Sequence, residues 1–500
     1  MNNFNLIENC WIPIADVGLV SLKQIFTEPN YRALGGNPIQ KIAMTKLLLA
    51  ISQAACTPED NAEWKELGAD GLAQKCLAYL EKWHDRFYLY GEKPFLQMPE
   101  IANAAKQNFG AVLPEIATGN TTVLNSIQME NSLNDAEKAM LIVQLVNFGL
   151  GGKKTDNSIV LSAGYQGKSN DKGKPSTGKA GTSLGFMGFL HNFLIGETLL
   201  QTLWLNLLTQ EQIDDLPYSQ KLGVAPWEEM PEGENCDIAK RLQNSLMGRL
   251  ISMSRFCLLN QNDLHYSEGI AHFGYKENMI DPSVAANFSG KDAKVLWVDT
   301  ERRPWRFLTA LLSFMENGGN GFDCYYLKLG LLRARKARLA KIGVWSGGLR
   351  VSSNAGEQYI SGSDDFVDSV VFMDSNQLGE MWYSRLKHEM TELEQVSKFV
   401  YGSTMGYFKS QKSEGKNEAA QATHLFWQLC ERRFQDLVYA CEAESNESRN
   451  TLRKQFANFA MTSYNRYCHQ DTAKQLNAWA ANLPNFGKYL KDTKQQEVEA

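Results

Sequence analysis

Glycine and lysine concentrate in one stretch of this 500-residue chain, between Gly149 and Gly181. The stretch holds eight glycines and six lysines against two aspartates, although the whole chain has a net charge of −5. Glycine lets backbone amides approach a ligand closely, and lysine supplies a charge that attracts phosphates. The composition is too poor in apolar side chains to form core, which predicts a mobile surface loop. The stretch therefore indicates a polyanionic ligand, with a merely solvated insertion as the open alternative.

A nucleotide-binding P-loop is the sharper alternative, because residues 173–179 (GKPSTGK) match its first seven positions. The eighth position carries Ala180, whereas magnesium binding needs a Ser or Thr hydroxyl there. The preceding residues 166–172 are polar and glycine-rich, not the buried strand that leads into such a loop. A phosphate-binding NTPase is therefore the minor alternative.

Other catalytic patterns are sparse. The seven histidines form neither an HxxxH nor an HExxH motif, and the nine cysteines include no CxxC pair. His84-Asp85 resembles the paired ligand of metal phosphohydrolases, but its position among aromatic residues favours a histidine at a helix end. The scattered thiols are typical of reduced cysteines in a cytosolic protein. We therefore predict no catalytic residue, no metal site and no cofactor.

A second concentration of charge lies between Arg302 and Arg350, where ten basic residues face two acidic ones. Such a cluster is typical either of a patch that binds a nucleic-acid backbone or of a solvated helix face. Residues 333–341 (RARKARLAK) suit both interpretations equally.

The elements that would position these residues predict an α+β protein of two domains. Residues 1–372 form a large mixed domain, and residues 373–500 form an antiparallel four-helix bundle, because apolar residues recur there at helical spacing. The bundle segments are 376–405, 418–444, 446–470 and 473–491. The N-terminus lacks a secretory signal and no apolar run reaches the length of a membrane span, which predicts a cytoplasmic protein.

Within the first domain the pattern predicts a strand over 5–14, paired with 17–20, and a capping box at Ser21-Leu22-Lys23-Gln24. Helices are predicted over 38–55 and 64–83, and a core helix joined to a strand over 184–208. Residues 343–351 are predicted to form two short strands around Ser-Gly-Gly, followed by a loop to about Asp368.

Three groups of residues carry a family resemblance. They are Asn5-Leu6-Ile7 with Trp11-Ile12-Pro13-Ile14, then Phe87-Tyr88-Leu89 with Lys93-Pro94-Phe95-Leu96-Gln97, and finally Gly347-Gly348-Leu349-Arg350 with Ser353-Asn354-Ala355-Gly356 and Ser363-Asp364-Asp365-Phe366. Their order and spacing, with the final helical segment, resemble the large subunit (CasA family) of the type I-E CRISPR surveillance complex, Cascade.

This resemblance implies a non-catalytic subunit that reads the PAM in duplex DNA from the minor groove and helps to open the duplex for guide-RNA pairing. The family's glycine loop corresponds to Gly149, Gly151 and Gly152, with Lys153 beside it. Its PAM and wedge loop corresponds to Ser353, Asn354 and Ala355. Some members have Asn-Gln-Ala there, so Gln358 is a second wedge candidate beside Asn354.

Further assignments follow from the same resemblance. The lysine that enters the groove corresponds to Lys276, with Lys291 as the alternative, and the contact with the guide RNA 5′ handle aligns near Leu124 and Asn125. The implied partners are target double-stranded DNA, the guide RNA, the backbone and handle-binding subunits, the small-subunit dimer, and a nuclease-helicase recruited after R-loop formation. No membrane and no cofactor are implied.

Overall fold

The computed structural model describes residues 4–114, 132–150, 154–163, 165, 169, 173, 183–184, 188–277, 279–316, 321–354, 357–359 and 366–491. It confirms the predicted mixed α+β class with helices at the C-terminal end. The chain divides into two compact units. Unit 1 comprises Met1–Pro304, Phe322–Arg338 and Ile342–Val370, and unit 2 comprises Trp305–Gly321, Leu339–Lys341 and Val371–Ala500. The division into domains 1–372 and 373–500 stays a prediction.

The elements follow in chain order. The α-helices are α1 (Leu22–Thr27), α2 (Pro38–Ala55), α3 (Asn61–Lys82), α4 (Phe109–Val112), α5 (Asp135–Asn147), α6 (Leu199–Asn206), α7 (Gln210–Asp214), α8 (Asp237–Gln243), α9 (Met247–Leu250), α10 (Leu308–Leu311), α11 (Tyr325–Ala337), α12 (Glu380–Ser410), α13 (Lys416–Ala440), α14 (Glu447–Tyr467) and α15 (Ala473–Ala481). The strands are β1 (Ile12–Ile14), β2 (Gly18–Val20), β3 (Lys106–Asn108), β4 (His191–Ile195), β5 (Arg255–Leu259), β6 (Asp263–Glu268), β7 (Ala286–Asn287), β8 (Lys294–Val295), β9 (Lys341–Leu349), β10 (Ser352–Asn354), β11 (Glu357–Tyr359) and β12 (Phe366–Asp374).

Local capping starts the first helices of unit 1. The predicted capping box at Ser21 and Gln24 is confirmed, and Asn37 with Gln40 forms a second box directly before Pro38 at the start of α2. Helix α2 is buried on nearly all sides, which identifies it as the central helix of this unit. The segment 184–208 contains a strand and a helix, as predicted, in the order β4 then α6.

Two strand predictions are corrected. The first strand covers only Ile12–Ile14, because the backbone turns after Asn5, whose side-chain oxygen accepts a hydrogen bond from the Ile7 amide at 2.9 Å. Residues 343–351 do not form two strands, since β9 runs unbroken through both glycines. A Cβ atom on Gly348 would lie 2.8 Å from the Phe189 carbonyl oxygen, so this glycine permits close packing and does not mark a turn.

The described strands form small sheets of two or three strands. Strands β3, β6 and β5 form one sheet in that order, and strands β12, β9 and β4 form another. Hairpins β1–β2, β7–β8 and β10–β11 are separate two-stranded sheets. The loop predicted to follow β9 therefore contains the β10–β11 hairpin and the start of β12.

In unit 2 the four predicted C-terminal segments are each helical. Trp382 near the start of α12 donates to the Val438 carbonyl near the end of α13, so these two helices run antiparallel. A buried ion pair joins α12 to α14, with the guanidinium of Arg453 2.7 Å from the Glu389 carboxylate. The last helix is shorter than predicted and ends at Ala481, because Pro484 cannot continue it.

A buried polar network fixes the centre of unit 1. The Lys46 ammonium on α2 lies 2.7 Å from the Asp281 carboxylate, and Ser283 connects this pair to the ring of His191 at 2.8 Å. The second ring nitrogen of His191 lies 2.8 Å from the Leu184 carbonyl oxygen. Burial raises the pKa of Asp281 by itself, but the nearby Lys46 charge overrides this effect and the pKa is about 2. Removal of either charge of the Lys46–Asp281 pair would therefore leave the other charge buried and unpaired.

Two buried histidines give unit 1 a pH-dependent stability. Burial lowers the pKa of His191 to about 4, and burial with the charge of Arg249 lowers that of His272 to about 3. An unfolded chain binds these protons near pH 6.5. Between about pH 6.5 and 4 the unfolded state therefore binds more protons, so stability is full above this window and falls as the pH falls.

We predict that the free energy of unfolding decreases by about 1.4 kcal/mol per pH unit for each of these histidines below pH 6. Urea unfolding at pH 7.5, 6.5, 5.5 and 4.5 measures this change. A His272→Gln variant should have a flatter profile than wild type. Equal pH profiles for wild type and His272→Gln would contradict the assignment.

Candidate nucleic-acid interface

The glycine- and lysine-rich stretch begins inside the core. Gly149 is buried, and its amide donates to the Ser183 hydroxyl at 3.1 Å. A Cβ atom at this position would lie 2.8 Å from the Ser254 oxygen and 3.1 Å from a guanidinium nitrogen of Arg255. Leu150 is buried as well. The prediction of a mobile surface loop is therefore wrong at this end, since packing requires the glycine at position 149.

The chain is also attached to the core directly after the predicted glycine loop. The Thr155 hydroxyl donates to Glu268 at 2.9 Å, and the Asp156 amide donates to the Tyr266 carbonyl at 2.9 Å. Further along, the Leu161 amide donates to the buried Glu234 carboxylate at 3.0 Å. Residues 155–162 thus form an ordered surface strap, contrary to the prediction. Gly151, Gly152 and Lys153 lie outside the described residues.

The predicted groove lysine lies in a short, well-supported turn. Lys276 is exposed in the 3-10 turn Tyr275–Glu277, where the Glu277 carboxylate accepts from the Gly274 amide at 2.8 Å. The neighbouring Tyr275 ring packs edge-on against Phe189, with 5.6 Å between ring centroids. The turn therefore presents one lysine to solvent from a backbone that is fixed on both sides.

The alternative lysine lies in the adjacent hairpin. Lys291 is exposed between β7 and β8. The Phe288 ring beside it lies 6.2 Å from the Tyr275 ring. Both lysines are consequently available to a ligand on this part of unit 1, and the geometry alone does not choose between them.

The predicted wedge residues belong to a narrow hairpin. Strands β10 and β11 pair antiparallel, with Ser353 opposite Gln358 and Asn354 opposite Glu357. In the sequence only Ala355 and Gly356 connect the two strands, and both lie outside the described residues. Asn354 and Gln358, the two wedge candidates, are therefore both within two residues of the connection.

One small neighbourhood connects all three predicted segments. A cavity is lined by Ser183, which binds the Gly149 amide, by Phe189 and by Tyr275 beside Lys276. Gly188 lies against the end of β9, because a Cβ atom there would be 2.7 Å from the Leu349 carbonyl oxygen. The chain leaves β9 at this point and enters the hairpin three residues later. The base of the glycine loop, the lysine turn and the base of the hairpin thus share neighbours in unit 1.

Other predicted features are not part of this neighbourhood. Leu124 and Asn125 lie outside the described residues. The basic residues between Arg302 and Arg350 do not form one solvent-facing patch: Arg333 is buried and donates to the Leu207 carbonyl at 2.7 Å, after the end of α6. Arg306 in unit 2 pairs with Glu394 at 2.9 Å and covers the Trp427 ring. Both arginines are therefore structural.

The enzyme alternatives gain no support. His84 starts a 3-10 turn directly after α3, and its half-exposed ring packs edge-on against Tyr88, as expected for a histidine at a helix end. Among the residues that the structure describes, no group of three His, Cys, Asp or Glu side chains could hold a metal ion. Positions 174–180 of the P-loop-like segment lie outside the description. The described cysteines are free thiols and mostly buried, as predicted.

The sequence alone did not indicate the residues that bond the chain on either side of residues 151–154, namely Thr155, Arg255 and Glu268. A signal for two of them is present. Arg255 and Glu268 lie at the outer ends of two segments that flank a polar turn at Asn260–Asp263, and hairpin pairing places them opposite each other. Their contact with the loop requires tertiary structure.

Comparisons with known proteins agree with this architecture. Solved structures of similar fold include Thermobifida fusca Cse1, at 20% identity and a TM-score of 0.75 over 100% of this chain and 99% of that one. Thermus thermophilus CasA (Cse1) has 19% identity and a TM-score of 0.73, over 98% of this chain and 99% of that one. A chain of a CRISPR RNA-guided surveillance complex has 14% identity and a TM-score of 0.69, over 96% and 98%.

Sequence comparison gives the family. The Thermus thermophilus protein CasA/Cse1 is 28% identical over 336 residues, and the match spans 62% of this chain and 61% of that relative's length. No helix in the described ranges is both long and apolar enough to cross a membrane. The family model of CRISPR-associated protein Cse1 matches residues 5–463, which is most of the chain. The chain therefore belongs to the CRISPR-associated Cse1 (CasA) family.

Proposed function

We propose that this chain is the DNA-recognition subunit of a type I-E Cascade complex in the cytoplasm. It reads the PAM in duplex DNA from the minor groove, helps to open the duplex for guide-RNA pairing, and catalyses no reaction itself. Family membership supports the assignment to a CRISPR complex. The observation that carries the recognition role is the shared neighbourhood of Gly149, the Lys276 turn and the base of the β10–β11 hairpin.

The chemistry of these segments suits a minor groove. The groove is about 6 Å wide, so a segment without side chains can enter it where a helix cannot. Gly151 and Gly152 would supply such a backbone, anchored at Gly149, and Lys153 and Lys276 would supply charge toward the flanking phosphates. The family resemblance selects Lys276 before Lys291, and the braced turn of Lys276 limits the freedom that its backbone would lose on binding.

The β10–β11 hairpin suits a wedge. A two-stranded ribbon with a two-residue connection is narrow enough to enter between base pairs, and separating one base step costs a few kcal/mol. Ser353, Asn354 and Ala355 would contact the PAM, and Asn354 or Gln358 would hold the opened step. Guide-RNA pairing with the opened strand then offsets this cost.

The remaining partners follow from membership in such a complex. Residues near Leu124 and Asn125 would contact the 5′ handle of the guide RNA. The backbone and handle-binding subunits would hold domain 1–372, and domain 373–500 would contact the small-subunit dimer. After R-loop formation this subunit would provide the docking site for the nuclease-helicase.

We predict that Gly151→Asp or Gly152→Asp lowers the affinity of the assembled complex for PAM-containing duplex about 100-fold or more. A carboxylate among phosphates costs several kcal/mol, and the added side chain also fills space in the groove. Electrophoretic mobility shift with duplex and with single-stranded target measures the two affinities, and the affinity for single-stranded target should not change.

A matched control introduces the same charge elsewhere. Gly402 is exposed on α12, and no heavy atom lies within 4 Å of a Cβ atom there, so Gly402→Asp should bind both DNA forms like wild type. Equal loss of duplex and single-strand binding in the Gly151 and Gly152 variants would rule out groove reading by this loop.

We further predict that Lys276→Ala weakens duplex binding about tenfold and lowers the slope of log affinity against log salt by about one. Lys291→Ala should change the affinity less than about twofold. Titrations of duplex at several salt concentrations measure both quantities. The opposite result would transfer the role to Lys291, and unchanged binding in both variants would refute a groove lysine in this region.

A further inference from the structure

A buried ion pair joins the two ends of the segment that contains the proposed glycine loop. Arg255 on β5 and Glu268 on β6 are direct cross-strand partners, with side chains 1% and 7% exposed. A guanidinium nitrogen of Arg255 lies 2.8 Å from the Glu268 carboxylate. Each residue of this pair makes one further contact with the segment.

The two further contacts lie on either side of four residues. Arg255 donates through its other terminal nitrogen to the Leu150 carbonyl at 2.7 Å. Glu268 accepts from the Thr155 hydroxyl at 2.9 Å through its second oxygen. Residues 151–154 are all that separates Leu150 from Thr155 in the sequence. Leu150 before these four residues is therefore bonded to the arginine of the pair, and Thr155 after them is bonded to the glutamate.

Hydrogen bonds of the next residue, Asp156, also fix the backbone beside Thr155. The Asp156 amide donates to the Tyr266 carbonyl at 2.9 Å, and its carboxylate accepts from the Ala105 amide at 2.8 Å. Lys154 has a φ of 50°, a left-handed conformation that is uncommon for a residue with a side chain. Such a conformation persists where surrounding contacts impose it.

We propose that the Arg255–Glu268 pair, with Thr155, acts as a clamp that positions the glycine loop for the DNA groove. Burying an ion pair costs desolvation energy that apolar side chains would not, so stability alone does not explain its presence here. A glycine-rich segment loses much conformational entropy when it orders on a ligand. Fixing its two ends in advance reduces that loss and increases affinity without a direct contact to DNA. These three are positioning residues, and the inference rests on the proposed function.

Thr155 offers the cleanest test, because changes to either charged partner leave a buried charge unpaired and endanger folding. Thr155→Val removes the hydroxyl and keeps the shape of the side chain, whereas Thr155→Ser keeps the hydroxyl. In the assembled complex, Thr155→Val should weaken PAM-dependent duplex binding about tenfold, the usual effect of losing one hydrogen bond to a charged group. Thr155→Ser should stay within about twofold of wild type, and all variants should bind single-stranded target equally.

A second measurement is independent of DNA. Trypsin cleavage after Lys154 should be faster in Thr155→Val than in wild type or Thr155→Ser. The reason is that residue 155 loses its hydrogen bond to Glu268, so the chain around the cleavage site opens more often. The control variant Thr27→Val loses an exposed hydroxyl at the end of helix α1, which donates only to the Lys23 carbonyl, and should match wild type in both experiments.

Parallel measurement of Gly151→Asp separates the two claims. If Gly151→Asp impairs duplex binding and Thr155→Val behaves like wild type, the clamp is refuted while the proposed function stands. If Gly151→Asp has no effect, the proposed function fails, and faster cleavage of Thr155→Val then supports only the attachment of the segment. Equal losses in Thr155→Val and Thr155→Ser would also overturn the clamp, because the hydroxyl would not be the operative group.

Discussion

A backbone segment that enters a DNA groove must have few or small side chains, and it must also be held in one conformation. These two requirements oppose each other. Glycine satisfies the first demand and is the residue that loses most freedom on ordering. The second demand must therefore be met by the protein around the glycine segment. In this chain the surroundings include a buried Gly149, a guanidinium on the Leu150 carbonyl and a carboxylate on the Thr155 hydroxyl. The rest of unit 1 can be understood as support for these contacts.

The packing that supports these contacts is polar, although apolar side chains in the same place would avoid the desolvation energy of buried charges. The Lys46–Asp281 pair and the His191 ring form a buried chain of contacts that ends on the Leu184 carbonyl. Leu184 follows Ser183, which holds the Gly149 amide. Directional bonds specify one arrangement, whereas apolar packing tolerates several. The cost of burying these charges is thus concentrated beside the segments that we propose to contact DNA, where position matters most.

The sequence predicts what local chemistry determines. Capping boxes at Ser21 and Asn37 specify where helices start, and the period of apolar residues in 373–500 specifies long helices with short joints. Prediction from the sequence fails where a residue type is required by a contact with residues far away in the chain. Gly347 and Gly348 are typical of a turn, but both lie inside β9. These positions require glycine because neighbouring groups come too close for a side chain. Gly149 lies in a glycine-rich stretch that is typical of a loop. In the structure it packs against Ser254 and Arg255, more than a hundred residues away in the chain.

The proposed site shows the same division. Family resemblance pointed to Lys276 and to residues 353–355, and the structure places the first on an exposed turn and the backbone of Ser353 and Asn354 in a hairpin. The anchoring role that we propose for Arg255, Glu268 and Thr155 depends on contacts between the β5–β6 hairpin and a segment that lies more than a hundred residues earlier in the chain. Such a contact has no local pattern, so it becomes visible only after folding.

Base analogues test most directly whether this chain reads the PAM from the minor groove. Once a PAM library has identified the preferred sequence, the affinity of the assembled complex is measured for duplexes with single altered bases. Inosine for guanine, or diaminopurine for adenine, changes only the minor-groove amino group, whereas 7-deazapurines change only the major-groove acceptor. Minor-groove reading predicts about a tenfold change in Kd with the minor-groove analogues and less than about twofold with the 7-deazapurines. The reverse result would contradict it.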